Sequence, residues 1–195
     1  DVTNRDAVYK MIDTVMDKFG RLDILVNNAG GALGKPRSTW ASDTDEDYLD
    51  YILDVNLKSA ILCCQAASVP MKKARYGKIV NVGSQAGMWS GHDGTGMPYK
   101  VAKAGVIHYT RVLAAELGPY GINVNCIAPA WILSSRAVAQ GRNTPETRDR
   151  LLAQIPLGRL GVPEDCAKVV EFLVTDLSDY VTGQCIAVCG GYVAW

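Results

Sequence analysis

The sequence predicts an α/β domain in which a doubly wound parallel sheet is covered by helices. Four short apolar runs alternate along the chain with longer helical segments, an order that is typical of parallel sheets. With 195 residues, of which 48% are hydrophobic, the chain can bury one sizeable core. No internal repeat, low-complexity tract or linker divides it, so we expect a single domain over residues 1–195.

The predicted helices are bounded by ordinary start and stop signals. Gly20 ends the first helix, and acidic residues between 43 and 47 favour the start of the second, which is one long helix or two. The sequence Gly-Pro at 118–119 ends the third helix, and Pro-Glu-Asp at 163–165 opens the fourth. The helices cover residues 6–19, 44–71, 98–117 and 163–175.

Four apolar runs between the helices predict the strands of the sheet. The first run turns out of the sheet through residues 27–30. The polar segment 134–154 follows the third run and has only a weak helical signal. The predicted strands cover residues 22–26, 78–82, 122–127 and 184–188.

Charge and hydropathy make several classes of partner unfavourable. Twenty basic residues balance twenty acidic ones, so no basic face is predicted, and neither nucleic acid nor an anionic membrane is an expected partner. No apolar stretch approaches the length of a transmembrane helix, since residues 60–71 are interrupted by Gln65, Ser68 and Pro70. No secretory signal is visible, although residue 1 need not be the natural start.

Six cysteines lie in apolar stretches without a Cys-x-x-Cys motif, and only two histidines are present. A zinc site therefore has little support, and no metal site is predicted. Cysteine in such surroundings behaves as a small hydrophobe, so we expect reduced thiols in a cytoplasmic protein. The cysteines are Cys63, Cys64, Cys126, Cys166, Cys185 and Cys189.

Ser84, Tyr99 and Lys103 form the candidate catalytic group. Tyr99 and Lys103 are four residues apart on a predicted helix, so their side chains are neighbours on its surface. An ammonium beside a phenol lowers the phenol pKa, which makes the phenol a proton donor and acceptor near neutral pH. Ser84 follows an apolar run and places a hydroxyl where it can hold a substrate carbonyl oxygen beside the tyrosine.

Taken alone, the Tyr-x-x-x-Lys pattern also fits a plain structural interpretation. An aromatic residue in a helix is usually part of the core, and a lysine one turn later usually extends to solvent. On these two residues alone, both interpretations stay open.

Six short motifs occur in the order, and nearly at the spacing, of a known family. They are Asn-Asn-Ala-Gly at 27–30, Asp-Val-Asn at 54–56, Ile-Val-Asn-Val-Gly-Ser at 79–84, Tyr-x-x-x-Lys at 99–103, Asn-Val-Asn-Cys-Ile-Ala-Pro at 123–129 and Gly-Gln at 183–184. On these motifs the sequence resembles the classical short-chain dehydrogenase/reductase family. The resemblance implies a Rossmann-like fold and an oxidoreductase that uses NAD or NADP to interconvert a secondary alcohol and a ketone. It does not identify the substrate.

The resemblance assigns roles to the catalytic candidates. Tyr99 is expected to exchange the alcohol proton, Ser84 to steady the carbonyl, and Lys103 to reach the nicotinamide ribose hydroxyls. Asn56 is expected to hold a backbone-linked water that joins the lysine to solvent in a proton relay, or to be a plain polar helix residue. The cofactor supplies the hydride chemistry, and the protein orients it.

The same resemblance implies a set of cofactor-binding residues. Asp1 and Val2 resemble the pair that ends the family's third strand beside the adenine, and Ala130 stands where the family has glycine. Ser134 would bind the carboxamide as the family's threonine does, but Ser135 competes for that assignment. The expected cofactor residues are Asp1, Val2, Asn28, Ala29, Gly30, Tyr99, Lys103, Pro129, Ala130, Ile132 and Ser134.

The substrate is expected to lie between the catalytic group and three further side chains. The loop at 90–96 is longer than is usual in the family, and its His92 and Asp93 would either hydrogen-bond a polyol or face water, which gives a lean towards a hydroxylated substrate. Residues 134–157 are expected to form a substrate lid, or an ordinary exposed connection. The expected substrate residues are Ser84, Gln85, Trp89, Tyr99 and Trp131.

The resemblance also implies a homotetramer. The helices predicted at 44–71 and 98–117 resemble those that pair across subunits in the family. A C-terminal strand ending at residues 192–195 would build a second interface.

The family's phosphate-binding turn is not found in the sequence. Gly30, Gly31 and Gly34 follow a strand but lead into Lys-Pro, and the glycines at 91–96 have no strand before them, so both groups are predicted loops. We therefore expect the first strands of the family's sheet to be missing from this chain, which is then a fragment or a part of a longer chain. The choice between NAD and NADP depends on that segment and stays open.

Three functions remain open on the sequence. The first is an NAD(P)-dependent oxidoreductase of a small-molecule alcohol or ketone. The second is a family member, or an inactive fragment, that serves as a structural or binding subunit. The third is a lyase or epimerase on the same scaffold, with Tyr99 and Lys103 as acid and base. Net turnover of NAD(P)H separates the first from the other two.

Overall fold

Helices and strands alternate along the chain in the computed structural model, which describes residues 1–34, 36–91, 94–141 and 143–192. The strands in these ranges are β1 (Ile24–Asn27), β2 (Thr39–Trp40), β3 (Asp43–Thr44), β4 (Gly77–Val82), β5 (Ile122–Pro129) and β6 (Cys185–Val188). The helices in these ranges are α1 (Arg5–Phe19), α2 (Glu46–Leu53), α3 (Ser59–Ala74), α4 (Gln85–Met88), α5 (Met97–Leu117), α6 (Ser135–Ala139), α7 (Pro145–Leu152) and α8 (Pro163–Val174).

Four parallel strands form the central sheet in the order β1-β4-β5-β6. These are the four strands that the apolar runs predict, and the parallel α/β class is confirmed. The bounds differ slightly, since β1 begins at Ile24 and β5 continues to Pro129. The small antiparallel hairpin of β2 and β3 is not predicted by the sequence, because strands of two residues show no periodicity.

Helices cover both faces of the sheet. On one face α1, α3 and α5 pack around a cluster that includes Leu62, Leu117 and Ile79. The next residue of β4, Val80, points to the opposite face and packs there against Leu173 of α8. The sheet is therefore doubly wound, as the sequence predicts.

Helices α2 and α3 are joined through a π turn into one long helical segment. In the turn Asp54–Lys58, the Ser59 backbone N–H donates to the Asp54 oxygen five residues earlier. The combined segment Glu46–Ala74 is long and apolar enough to cross a membrane by length and composition alone. However, 56% of its most apolar window is buried inside the protein, where α3 packs on β1 and β4, so we interpret it as a core helix.

Buried polar side chains tie the sheet to its neighbours. Asn27 Nδ2 donates to Asn81 Oδ1 at 2.8 Å, and Asn81 Nδ2 donates to Thr110 Oγ1 at 2.9 Å, which links β1, β4 and α5. The buried Lys78 ammonium lies 2.7 Å from the Asp179 carboxylate. Because a buried polar group without a partner is costly, these pairs fix the register of the strands.

Two regions differ in detail from their predicted structure. The polar segment 134–154 contains α6 and α7, whose first turns are capped by the side chains of Ser134 and Thr144. The predicted C-terminal strand is wrong beyond Val188, because β6 ends there and the chain turns. Residues 193–195 lie outside the described residues. All six cysteines are free thiols in the structure.

Candidate active site

A cavity of about 620 Å³ opens at the carboxyl ends of β1, β4 and β5. Ligands of doubly wound sheets bind at this edge, where loops from several strands converge. Most of the predicted site residues meet here, from the loops after three strands and from α5. The lining includes Asn28, Gly30, Ser84, Gln85, Tyr99, Lys103, Pro129, Ala130, Trp131, Ile132 and Ser134.

Tyr99 and Lys103 lie on the first two turns of α5 and both line the cavity. Lys103 is only 4% exposed, and its Nζ donates to the Val82 backbone oxygen at 2.8 Å. The same Nζ lies 5.7 Å from the centre of the Tyr99 ring. The lysine therefore does not extend to solvent as the plain structural interpretation predicts.

Burial lowers the pKa of Lys103 to about 8, because the charged amine loses hydration inside the protein. The nearby Cys126 acts in the opposite direction and raises that pKa by less. An amine with a pKa close to the operating pH can release and accept a proton readily. Lys103 can therefore move a proton as well as hold a positive charge beside the phenol.

Ser84 is held two residues beyond β4, where it caps α4. Its Oγ accepts a hydrogen bond from the Ala86 backbone N–H at 3.1 Å. Helix α4 packs closely on α5 because Gly87 has no side chain, and a Cβ there would lie 2.5 Å from the Lys103 carbonyl carbon. This close packing sets the position of Ser84 relative to Tyr99.

Asn56 lies in the π turn, and its buried amide clamps the loop that follows β1. Oδ1 accepts from the Gly31 N–H at 2.8 Å, and Nδ2 donates to the Gly31 and Ile52 oxygens at 3.0 Å each. A Cβ on Gly30 would lie 2.6 Å from Asn56 Oδ1 and 3.6 Å from Lys103 Nζ. Asn56 thus holds a bare stretch of backbone beside the lysine, and its role in a water relay stays a prediction.

The structure bears on two predictions for the loop after β5: that alanine is tolerated at position 130, and that Ser134 or Ser135 binds the carboxamide. Ala130 has a negative φ, since Arg75 is the only non-glycine residue with a positive φ in the described ranges. The alanine is therefore tolerated where the family has glycine. Ser134 and Ser135 both line the cavity, and Ser134 Oγ also caps α6 by accepting from the Ala137 N–H at 3.3 Å.

Three predicted cofactor residues do not line this cavity. Asp1 is exposed, and its carboxylate accepts from the Thr3 N–H at 2.8 Å. Val2 packs against the core cluster that contains α1, so its side chain faces inward. Ala29 lies between two lining residues without joining the lining itself. Their roles stay predictions.

An aromatic cluster lies beyond β4, β5 and β6. The Tyr192 ring meets Trp89 and Trp131 edge to face, with centroid distances of 5.8 and 5.9 Å. Trp131 lines the cavity, whereas Trp89 is connected to it through the tyrosine ring. The sequence predicts Tyr192 in a subunit interface and does not predict its contacts with the two tryptophans. The only signal for these contacts is that Tyr192 comes four residues after the last predicted strand, at the edge of the sheet where the cavity lies. His92 and Asp93 lie outside the described residues.

The predicted lid reaches the loop after β1 through Arg136, which the sequence does not single out. Arg136 Nη1 donates to the Gly30 backbone oxygen at 3.3 Å, so α6 contacts the far wall of the cavity. Behind this region lies a second cavity of about 260 Å³, lined by Trp131 with Ile155 and Leu157. Trp131 therefore contacts both cavities.

Comparisons with known proteins match nearly the whole chain. The family model described as enoyl-(acyl carrier protein) reductase matches residues 1–193. A cyclohexanol dehydrogenase of Rhodococcus sp. (strain TK6) is 47% identical over 191 residues, which are 98% of this chain and 70% of the relative.

Solved structures agree in fold. The crystal structure of gox2181 has a TM-score of 0.91 and 35% identity, over 100% of this chain and 74% of that one. The structure of ElxO with NADP bound has a TM-score of 0.87 and 30% identity, over 98% of this chain and 75% of that one. With the motifs, the fold and these matches in agreement, the chain belongs to the short-chain dehydrogenase/reductase family.

Proposed function

We propose that this protein is an NAD(P)-dependent oxidoreductase that transfers a hydride between the nicotinamide and a secondary alcohol or ketone. The observation that carries the proposal is the buried Lys103 amine beside Tyr99, in one cavity with Ser84. Burying an amine that can carry charge is costly. Its position beside a phenol that can exchange a proton with an alcohol supports a catalytic role rather than a structural one.

The residues of the cavity fit the nicotinamide half of NAD or NADP. The bare backbone at Gly30 lets a ligand approach closely, and the nearby Lys103 amine would bind the ribose hydroxyls of a nicotinamide cofactor. Ser134 and Ser135 offer hydroxyls to a carboxamide on the opposite wall. When bound, the nicotinamide donates or accepts the hydride. The NADP bound to the related ElxO supports this class of cofactor.

Tyr99 exchanges the proton of the substrate oxygen in this proposal. In the oxidising direction its phenolate accepts the hydroxyl proton, the C–H electron pair leaves as hydride, and the carbon becomes a carbonyl. Positive charge at Lys103 favours the phenolate. Ser84 keeps its hydroxyl hydrogen for the substrate oxygen, because its own oxygen already accepts from Ala86. Reduction uses the same groups in reverse.

The aromatic cluster supports a substrate with an apolar body. Trp131 lines the cavity with the catalytic group and is backed by the Tyr192 ring, and the cyclohexanol dehydrogenase relative supports an alicyclic secondary alcohol. A relative from Thermotoga maritima, 40% identical over 194 residues, is named 3-oxoacyl-[acyl-carrier-protein] reductase, so short 3-oxoacyl thioesters form a second set of substrates to screen.

The test is turnover of NAD(P)H with a panel of alcohol–ketone pairs that includes cyclohexanol and cyclohexanone. We expect at least one pair to be turned over with one of the two cofactors. Tyr99→Phe is expected to lower kcat/KM by roughly 10²–10⁴-fold with an unchanged melting temperature, because it removes only the phenolic oxygen.

Tyr180→Phe is the matched control, because that ring is fully exposed, and it is expected to keep full activity. Product formation without net NAD(P)H turnover would instead support a lyase or epimerase. Cofactor binding without turnover of any pair would support a non-catalytic family member.

A further inference from the structure

Cys126 and Cys185 form a thiol pair below the proposed active site. They are directly paired in the neighbouring parallel strands β5 and β6, and both belong to one apolar cluster on the α5 face of the sheet. Neighbouring strands are about 4.8 Å apart. This spacing lies within the Cα separation of roughly 4.4–6.8 Å that a disulfide requires, so the pair can be joined with little backbone movement.

Cys185 is the less buried member of the pair. It lines a cavity of about 500 Å³ together with His108 and Arg111, whereas Cys126 is fully buried. A Cys185 thiolate would accept a hydrogen bond from the Cys126 thiol, and this lowers the pKa of Cys185; Arg111 lowers it as well, whereas burial raises it. The interaction with Cys185, together with burial, raises the pKa of Cys126. Cys185 is therefore the nucleophile, and Cys126 is the thiol that keeps its proton.

Cys126 also contacts the backbone that positions the catalytic serine. A Cβ on Gly83 would lie 2.9 Å from Cys126 Sγ, so the sulfur packs directly against the residue before Ser84. Its thiol donates to the Ile127 oxygen at 3.3 Å, and the Gly83 N–H donates to the same oxygen at 2.8 Å. If the sulfur turns towards Cys185, its packing against Gly83 and its bond to the Ile127 oxygen are lost.

We propose that Cys185 is a peroxide-sensitive modification site and that Cys126 converts its oxidised form into a disulfide that lowers the activity of the adjacent site. The Cys185 thiolate attacks one oxygen of hydrogen peroxide, the O–O bond breaks, hydroxide leaves and a sulfenic acid forms. The Cys126 sulfur then attacks the Cys185 sulfur, the S–O bond breaks, and the hydroxyl leaves as water with the Cys126 proton. The two thiols lose two electrons and two protons, and the peroxide becomes two waters.

Formation of the Cys126–Cys185 disulfide does not depend on the proposed function. Only the predicted loss of NAD(P)H turnover rests on the proposed function. The cavity opens beside α5, a helix that we predict to pair between subunits, so the experiment uses the protein in its natural assembly. Intact protein is titrated with hydrogen peroxide, followed by mass spectrometry of the whole chain and of its peptides and by NAD(P)H turnover.

The wild-type protein is expected to lose the mass of two hydrogens, to yield a linked peptide pair containing Cys126 and Cys185, and to lose about tenfold in turnover. Dithiothreitol is expected to restore both mass and turnover. Cys185→Ser is expected to keep its activity in peroxide. Cys166→Ser is the matched control, because it removes another half-buried thiol whose pKa burial raises, and it should behave as wild type.

A second variant tests the order of the two steps. In Cys126→Ala the oxidised Cys185 has no partner, so we expect a sulfenic acid at Cys185 that dimedone captures. Absence of the linked peptide at peroxide concentrations that leave methionine unoxidised would overturn the proposal, as would a link with unchanged turnover. A protein that forms the link but turns over no substrate before treatment retains the modification site and contradicts the proposed function instead.

Discussion

At Lys103, the requirements of stability and of chemistry oppose each other. The amine is 4% exposed and its pKa is lowered to about 8 from 10.5, so the folded protein binds this proton less tightly than the unfolded chain. Below about pH 8 folding must therefore bury a charge. That cost decreases as the pH rises towards 10.5, and it is absent above that value. Residues kept at such a cost are typical of functional sites.

Lys103→Met is expected to raise the free energy of unfolding at neutral pH by roughly 1–3 kcal/mol while it removes turnover. The gain is limited because the Val82 oxygen loses its donor. Urea unfolding at neutral pH and near pH 10.5 measures the effect, which should shrink at the higher pH. Lys10→Met, at an exposed position on α1, should show no such difference. An equal gain at both pH values would contradict the argument.

The sequence predicts some features of Tyr99, Lys103 and Asn56 and not others. Helical spacing is enough to predict that Tyr99 and Lys103 are neighbours. It does not predict that the lysine is buried, because the acceptor that makes burial tolerable is the Val82 oxygen on a separate strand. For the same reason the clamp of Asn56 on Gly31, between residues 25 positions apart, is a finding of the structure.

At the scale of elements, the contact between α4 and α5 determines the geometry of the site. Gly87→Ala places a methyl group 2.5 Å from the Lys103 carbonyl carbon, and neither backbone can yield easily. We expect a loss of about 1–3 kcal/mol in the free energy of unfolding, by analogy with overpacked cores, together with a fall in kcat as Ser84 moves away from Tyr99.

Gly118→Ala is the matched control for that substitution. Gly118 ends α5 with a φ of −51°, and an added Cβ there has nothing within 4 Å. It should leave turnover unchanged and stabilise the protein by about 0.4–1 kcal/mol through the unfolded state. If Gly87→Ala behaves like Gly118→Ala in thermal unfolding and in kinetics, the packing argument is wrong.

The sequence predicts the helices and strands that have a clear hydrophobic pattern and clear start and stop signals. The four apolar runs and the four long helices are all found, with ends shifted by at most three residues. The π turn Asp54–Lys58 has no local signal, because its sequence fits an α-helix equally well. The strand predicted to continue to Tyr192 is wrong because an apolar C-terminus looks like more strand, whereas the glycines at 190 and 191 adopt positive φ and turn the chain.

At the scale of the whole molecule, we predict a homotetramer in the cytoplasm. Val101 and Val112 of α5 are 50% and 55% exposed, and Val69 of α3 is 66% exposed. These valines lie on the two helices that the family resemblance assigns to the subunit interface. Apolar side chains left exposed in this way favour association with another surface.

Val112→Glu is expected to shift the assembly towards smaller species, because a buried interface penalises an unpaired carboxylate. Light scattering coupled to size exclusion measures the change, starting from four times the chain mass. Leu177→Glu is the control, since Leu177 is 76% exposed and lies outside both helices. A single-chain mass for the wild-type protein would contradict the prediction.

The position of Trp131 between two cavities sets a limit on substrate size. Trp131 and Ile132 line both the cavity of about 620 Å³ and the one of about 260 Å³. Trp131→Ala is expected to enlarge the first cavity towards the second, and bulkier ketones should then gain in kcat/KM relative to cyclohexanone. A single substitution at this position can thus enlarge the substrate chamber without altering the groups that move the proton.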